Sequence, residues 1–454
     1  MSKPVMISVS GIRGIVGEGL SPELVMKFAA AAGSYYGTGR VYVGRDSRVT
    51  GEMVKAAVFS GLMAVGCDPV DLGICSTPTV EMAVQHDDAA VGGIIITASH
   101  NPVEWNALKL LSGAGIFLDA EEGLQVKQRV DENRFDWKKW DGIGQISTYD
   151  GATEDHLDAL MALDILDVEA IRARRFKVAY DCVNGAGGTI IPQLLERLGC
   201  DTVPLNVEPT GRFAHAPEPV PENLVDLCEA VKSSGADIGL AIDPDADRCA
   251  AVAETGDPMG EEYTLAIITQ MMLKRKKGPV AINLSTSRAT EDVARSMGAE
   301  VYRTKVGEIH VAKKMLEVNA VIGGEGNGGA ILPDLHPGRD AAVAAALLLQ
   351  SLVDDGRKAS ELWRSLPQYT MVKDKIHIGN HDADALLEEM IAAAGQGRVN
   401  TEDGVKIDHD DHWVQIRKSN TEPIIRVMAE AADRVQAESI CKAYLDQLKA
   451  LMTA

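Results

Sequence analysis

Lys177-Val-Ala-Tyr-Asp-Cys-Val-Asn-Gly185, continued by Ile190-Ile-Pro-Gln-Leu-Leu-Glu-Arg-Leu198 and Gly199-Cys-Asp201, reads as a buried strand, a polar turn, a helix, a glycine stop and the acidic start of another strand. The same plan occurs twice more. Val41-Tyr-Val-Gly-Arg-Asp-Ser-Arg48 leads through a helix to Gly66-Cys-Asp-Pro-Val70, and Pro279-Val-Ala-Ile-Asn-Leu-Ser-Thr-Ser287 leads through Thr290–Met297 to Gly298-Ala-Glu300. Strand and helix in alternation imply right-handed crossovers around a sheet, with ligand groups on loops at the strand ends. The expected fold class is α/β: three related α/β domains with mixed, largely parallel sheets.

After about residue 366 the rhythm changes. A strand, a helix, a hairpin over Val405-Lys-Ile-Asp-His-Asp-Asp-His-Trp-Val-Gln-Ile416, another strand and an amphipathic helix describe a smaller α+β domain. The Asp408–His412 cluster has metal-ligating residue types, but acidic residues between two strands are ordinary turn chemistry, and a turn is the reading adopted.

The 454 residues allow about three or four domains, and 46% apolar with 24% charged residues describes a chain with ample core material. A formal net charge of −21 opposes binding to nucleic acid or anionic lipid, so neither partner is expected. No basic leader with an apolar core opens the chain and no apolar run reaches spanning length, which makes the cytoplasm the expected location. Seven cysteines without a Cys-x-x-Cys pair are expected to be buried thiols of a reducing compartment.

Four polar loops carry the chemistry. Val91-Gly-Gly-Ile-Ile-Ile-Thr97 stops at Ala98-Ser-His-Asn-Pro102, placing a hydroxyl nucleophile, Ser99, beside an imidazole, His100, at a strand end. Alone this is more often a local hydrogen-bonding pair. Ala236–Ile242 runs into Asp243-Pro-Asp-Ala-Asp-Arg248, where three alternating carboxylates suit Mg²⁺, a cation that takes oxygen ligands and bridges to phosphate; an acidic surface turn is the plainer alternative. Gly323-Gly-Glu-Gly-Asn-Gly-Gly329 lets backbone approach a sugar while Glu325 and Asn327 bond its hydroxyls. Arg417-Lys-Ser-Asn-Thr-Glu-Pro423, leading to Ile424-Ile-Arg-Val427, has the ingredients of a phosphate cradle.

Together with Gly11-Ile-Arg-Gly14, these loops, in this order on this repeat, resemble the α-D-phosphohexomutase family of phosphoglucomutases, phosphomannomutases and phosphoglucosamine mutases, over essentially the whole chain. The resemblance implies four domains around one cleft, the last like TATA-binding protein; on this chain they are expected at 1–150, 151–252, 253–365 and 366–454. It implies that Ser99 is the phosphoserine and that Asp243, Asp245 and Asp247 bind Mg²⁺ with a serine phosphate oxygen. Arg13 and Arg248 would flank the transferring group, with His100 and Lys109 assisting proton transfer and charge neutralisation. Without the resemblance, Lys109 reads as a solvated strand residue. Glu325 and Asn327 would grip the sugar, and Arg417, Ser419, Asn420, Thr421 and Arg426 would hold the second phosphate.

The implied reaction is phosphoryl transfer from phospho-Ser99 to a hexose phosphate through a bound hexose 1,6-bisphosphate, which also serves as activator; a monomer or homodimer fits. Two features depart from the resemblance. Several bacterial members read Ser-Gly-His where this chain has Asn327-Gly-Gly329, leaving a histidine missing that His310 could replace. Lys305-Val-Gly-Glu308 carries an acid where glucose and mannose mutases often have histidine, and a carboxylate near an ammonium at sugar C2 favours glucosamine 6-phosphate. Glucosamine phosphate is therefore the expected substrate, with glucose or mannose phosphate as the alternative. A metal-dependent sugar phosphatase with Asp243 as nucleophile, or a silent sugar-phosphate sensor, is the reading from a different class.

Overall fold

One four-strand unit recurs in the first three sheets. In the first it runs, in spatial order, Asp68–Ile74, Arg40–Arg45, Ala90–Ile96, Trp105–Ser112. In the second it runs Asp201–Leu205, Lys177–Asp181, Ile238–Ile242, Cys249–Ala253, and in the third Val301–Thr304, Val280–Asn283, Ile322–Glu325, Gly329–Ile331. The first two steps of each unit are parallel and the last is an antiparallel hairpin. The structure is a computed structural model that describes residues 5–8, 11–379, 381–392, 394–395, 397–418 and 423–453.

Parallel strands need crossovers of a dozen residues or more, which the helices supply, whereas the closing hairpin needs only a turn. That turn carries a polar loop in all three units: residues 97–104, 243–248 and 326–328. The sheets are thus mixed, and their antiparallel step bears the loops.

The first sheet is extended beyond Trp105–Ser112 by Gly11–Ile15 and Met6–Ser8, and at the other edge by Ser147–Thr148. Gly11 pairs with Lys109 and Arg13 with Ala107, so Arg13 and Lys109 point to the same face of adjoining strands. A fourth sheet, antiparallel throughout, has the order Thr370–His377, Ile424–Ala431, Trp413–Lys418, Val405–Asp408, Arg398–Asn400. Helices Ala383–Ala392 and Arg434–Thr453 pack on it through Leu386, Met390, Cys441 and Leu448.

The second and third units share one core, in which Tyr180 and Leu240 join Ile282 and the helices Glu261–Arg275 and Ala341–Asp355. Ala341–Asp355 is apolar nearly all round, the pattern of a buried helix, and its leucines stabilise the core by about 1.5–3 kcal/mol each. The Asp340 carboxylate caps it by accepting from the amides of Ala342 and Val343.

The seven cysteines are free thiols, but Cys200 and Cys228 are only half-buried: Cys200 precedes an edge strand and Cys228 lies on a surface helix. The segment after Asp408 is a hairpin turn closed by the His409 amide donating to the His412 carbonyl, with the two rings stacked. Among the described residues no helix is long and apolar enough to cross a membrane.

Candidate active site

Ser99 is 3% exposed and sits in the left-handed backbone region with φ 50°, a conformation that costs a residue other than glycine about 1–3 kcal/mol. Arg48 holds it there. Buried with Asp46, which its Nε contacts at 2.9 Å, Arg48 donates to the carbonyls of Ser99, Asn101, Pro102 and Trp105 at 2.6–2.9 Å. The Ser99 amide donates to Thr97 Oγ1, which in turn donates to Asp46. Five donors in a planar fork let one arginine bind a whole turn of carbonyls. Arg48 belongs to the Val41–Arg48 stretch, but nothing in its spacing signals this role.

Ser99 Oγ lies 3.3 Å from Asp243 Oδ2 and 3.4 Å from His100 Nδ1. The ligand atoms of Asp243, Asp245 and Asp247 lie within 4.8 Å of one another, and all three residues are buried. Asp243 Oδ1 accepts from the amides of Asp247 and Arg248. Asp245 Oδ2 accepts from Lys109 Nζ at 2.7 Å and from Thr77 Oγ1 at 2.9 Å, while Asp247 Oδ2 accepts from Arg339 Nη2 at 2.6 Å. Asp245 Oδ1 and Asp247 Oδ1 are buried with no hydrogen-bond partner. Buried carboxylate oxygens are rarely left so, and orphaned oxygens on neighbouring aspartates fit a hard cation such as Mg²⁺. Burial, then Asp247 and Asp245, push the Asp243 carboxyl well above its ordinary range, which is the repulsion a cation would relieve.

Cations ring this group. Burial opposes charge on Lys109, but Asp245 and Asp247 outweigh it and hold the ammonium above its ordinary pKa. Lys109 is thus an inward-facing residue rather than a solvated one. Arg248 Nε, itself without a hydrogen-bond partner, stands 3.6 Å from Asp247 Oδ1 and 3.8 Å from Asp243 Oδ2. Arg13 Nη1 donates to Asn101 Oδ1 at 2.8 Å. Burial, then Arg248 and Arg13, lower His100 to about 2, so its ring is neutral.

On the third unit, Glu325 Oε1 accepts from Asn283 Nδ2 at 2.7 Å and the Gly307 amide at 2.9 Å, and Oε2 accepts from Arg339 Nη1 at 2.8 Å. Asn327 Oδ1 is buried without a partner. Glu308 is not open to a ligand in the way its sequence context suggests. It is 7% exposed, and its two oxygens accept from the amide and Nε of Arg339 at 2.9 and 3.0 Å. Burial, then Glu81, raise it to about 8 against the pull of Arg339. The space beside Gly329 is filled by Arg339, whose Cδ lies 2.2 Å from where a Cβ would stand, and His310 is half-buried on the helix Glu308–Val318.

On the fourth sheet, both Arg417 nitrogens Nε and Nη2 pair with Asp403 at 3.0 and 2.9 Å, and Asp403 also accepts from the Val306 amide. Arg426 is exposed on the neighbouring strand directly across from Arg417. Ser419, Asn420 and Thr421 lie outside the described residues. Lys406 is buried against the Trp413 ring, 4.2 Å from its centroid, and donates to the Leu284 carbonyl at 2.8 Å, tying the fourth sheet to the third unit.

His156, His336 and Asp340 form a second buried cluster, with both Nε2 atoms meeting Asp340 Oδ2 at 2.8 and 3.1 Å. His156 Nδ1 pairs with Thr79 Oγ1 and His336 Nδ1 accepts from the Gly338 amide, so every ring nitrogen is satisfied without a metal.

Residues 6–137, 154–256 and 260–369 match alpha/beta/alpha domains I, II and III of phosphoglucomutase/phosphomannomutase, and residues 351–447 match its C-terminal domain. A Thermococcus kodakarensis protein named phosphoglucomutase/phosphomannomutase is 41% identical over 94% of both chains. A Methanopyrus kandleri protein named "Probable phosphoglucosamine mutase" is 38% identical over 96% of both. The crystal structure of a phosphoglucomutase/phosphomannomutase family protein from Burkholderia thailandensis superposes with a TM-score of 0.85 at 28% identity, covering 98% of each chain. With all four domains matched in order, the chain belongs to the phosphoglucomutase/phosphomannomutase family, the α-D-phosphohexomutases, enzymes that isomerise sugar phosphates by phosphoryl transfer.

Proposed function

We infer that this enzyme converts glucosamine 6-phosphate to glucosamine 1-phosphate through phospho-Ser99 and a bound hexose 1,6-bisphosphate. The observation that carries the chemistry is the meeting of Ser99 Oγ with Asp243, while Lys109, Arg13 and Arg248 gather around the same point. Phosphoryl transfer asks for positioning and positive charge around the equatorial oxygens, which this set supplies. In the forward step the Ser99 Oγ–P bond breaks and a P–O bond forms to the free sugar hydroxyl. The hydroxyl proton ends on Ser99 Oγ as its bond to phosphorus breaks, the neutral His100 ring, 3.4 Å from that oxygen, relaying it, and the Lys109 ammonium offsets charge developing on Oγ. The bisphosphate turns over and the reverse step returns its other phosphoryl group to Ser99. Asp243, Asp245 and Asp247 would hold Mg²⁺, which when bound would neutralise charge on the transferring phosphoryl group. Glu325 and Asn327 hold sugar hydroxyls, and Arg417, Ser419, Asn420, Thr421 and Arg426 hold the distal phosphate.

For the sugar, Arg339 pairs with Asp247, Glu325 and Glu308, and the Glu308 carboxyl, pushed up to about 8, would ionise beside an ammonium substituent. The names of several relatives agree with glucosamine, while the 41% identical Thermococcus relative carries the glucose and mannose name. A glucose or mannose mutase is favoured by one observation, the commitment of both Glu308 oxygens to Arg339.

The test is turnover with Mg²⁺ and a trace of hexose bisphosphate on glucosamine, N-acetylglucosamine, glucose and mannose phosphates, with Ser99→Ala beside it. Dominant glucosamine turnover with an acid-stable phosphate label on Ser99 supports the reading. Preferred glucose or mannose moves the enzyme to the second sugar class, and steady phosphate release without a serine label replaces the mutase with a phosphatase.

A further inference from the structure

Arg339 lies between the strand Gly329–Ile331 and the helix Ala341–Asp355 and is 7% exposed. Its side-chain nitrogens reach carboxylates on three separate segments: Asp247 at 2.6 Å, Glu325 at 2.8 Å and Glu308 at 3.0 Å. Breadth of this kind needs a planar fork, because a lysine ammonium at the same place can satisfy only part of the set.

On Asp247, Arg339 occupies Oδ2 and Oδ1 is left buried without a partner. Asp245 repeats the division, with Lys109 and Thr77 on Oδ2 and Oδ1 unpartnered. A carboxylate pinned through one oxygen presents the other in a fixed direction, which is how groups behind a metal site orient its ligands. Arg339 differs from Lys109 in what else it holds. The guanidinium that orients Asp247 also holds Glu325 Oε2, at the end of the strand that leads into the loop of the third unit. Its stem is fixed by the lack of a side chain at Gly329, where a Cβ would come within 2.2 Å of Cδ and 2.9 Å of Cγ.

Resting on the phosphohexomutase reading, we propose that Arg339 is a positioning residue that sets the free oxygen of Asp247 and the carboxylate of Glu325 through one guanidinium, so that Mg²⁺ affinity and sugar-phosphate affinity are linked. The link runs between the metal loop of the second unit and the sugar loop of the third. Disturbing the fork shifts both at once.

Two variants of the full chain test this. Arg339→Lys keeps the charge and loses the fork; Gly329→Ala keeps every charged group and pushes the Arg339 stem off its seat. Each is measured for Mg²⁺ affinity by calorimetry on the unphosphorylated protein without sugar, for KM and kcat on glucosamine 6-phosphate and glucose 6-phosphate, and for melting temperature. The expected result is Mg²⁺ binding weaker by about tenfold and KM raised by a similar factor, with a smaller change in kcat, in protein that still melts cooperatively. If Arg339→Lys does not fold, Gly329→Ala carries the test alone. Unchanged Mg²⁺ affinity in folded variants, or a KM that moves while Mg²⁺ affinity does not, overturns the proposal. A fall in Mg²⁺ affinity in the variants of a protein whose wild type turns over none of the hexose phosphates supports the role at Asp247 and removes only the proposed reaction.

Discussion

Lys109 Nζ donates to Asp245 Oδ2 at 2.7 Å, joining the first sheet to the aspartate loop of the second. The pairing leaves Asp245 Oδ1 as the free oxygen and brings a cation within reach of Ser99's neighbour loop. Lys109→Met is expected to lower kcat by about 10²–10³, the scale of losing one preorganised electrostatic group from a phosphoryl-transfer site. Steady-state kinetics at saturating Mg²⁺ check it, and a kcat within threefold of wild type would remove Lys109 from the chemistry.

Arg48 binds the carbonyls of Ser99, Asn101, Pro102 and Trp105 and the Asp46 carboxylate, its own side chain and that of Asp46 being fully buried. Arg48→Met strands Asp46 and unpins the strained Ser99 backbone. Breaking a buried pair in this way costs about 3–5 kcal/mol, which urea denaturation would read. Activity should fall more steeply than stability, since Ser99 then loses its fixed direction.

Glu308→Gln removes from the cluster around Arg339 a carboxyl, pushed up to about 8, that a substrate ammonium would hold ionised, while leaving an oxygen to accept from the Arg339 amide. If the acidic cluster reads the substrate ammonium, the ratio of kcat/KM for glucosamine over glucose phosphate should fall by about tenfold, equivalent to about 1.4 kcal/mol. Parallel assays of the two sugars decide it; an unchanged ratio means that Glu308 serves Arg339 alone.

Burial, followed by the nearby Arg303, lowers Lys406 to about 7 from its ordinary 10.5. A lysine whose folded pKa is depressed contributes stability that is present above the unfolded pKa and lost as pH falls through the folded one. Between these values the unfolded chain binds the extra proton. The wild type should therefore gain stability relative to Lys406→Met as pH rises from about 7 toward 10.5. Thermal melts of both proteins across that range would show the crossing slopes, and parallel curves would mean that Lys406 keeps its ordinary titration.

Residue order alone established the three strand-and-helix repeats, the change of rhythm near residue 366 and the four polar loops, because periodicity and turn chemistry act over a dozen residues or fewer. The resemblance carried by those loops added the roles proposed for Ser99, Asp243, Asp245 and Asp247. What the tertiary structure decided is which charges meet. Arg339 finds Asp247 across 92 residues and Glu308 across 31, and Arg48 reaches the serine loop across 51 to 57. Lys406 reaches Leu284 across 122. None of these arginines or lysines has a local pattern to distinguish it from a solvated surface cation, since its partners are chosen by how sheets from different units pack. For the same reason the commitment of Glu308 to Arg339, and of Arg417 to Asp403, could not be read from the motifs that contain them. Local periodicity fixed where the loops begin and end, while long-range packing in a low-dielectric interior fixed which oxygens are paired and which two are left open beside Ser99.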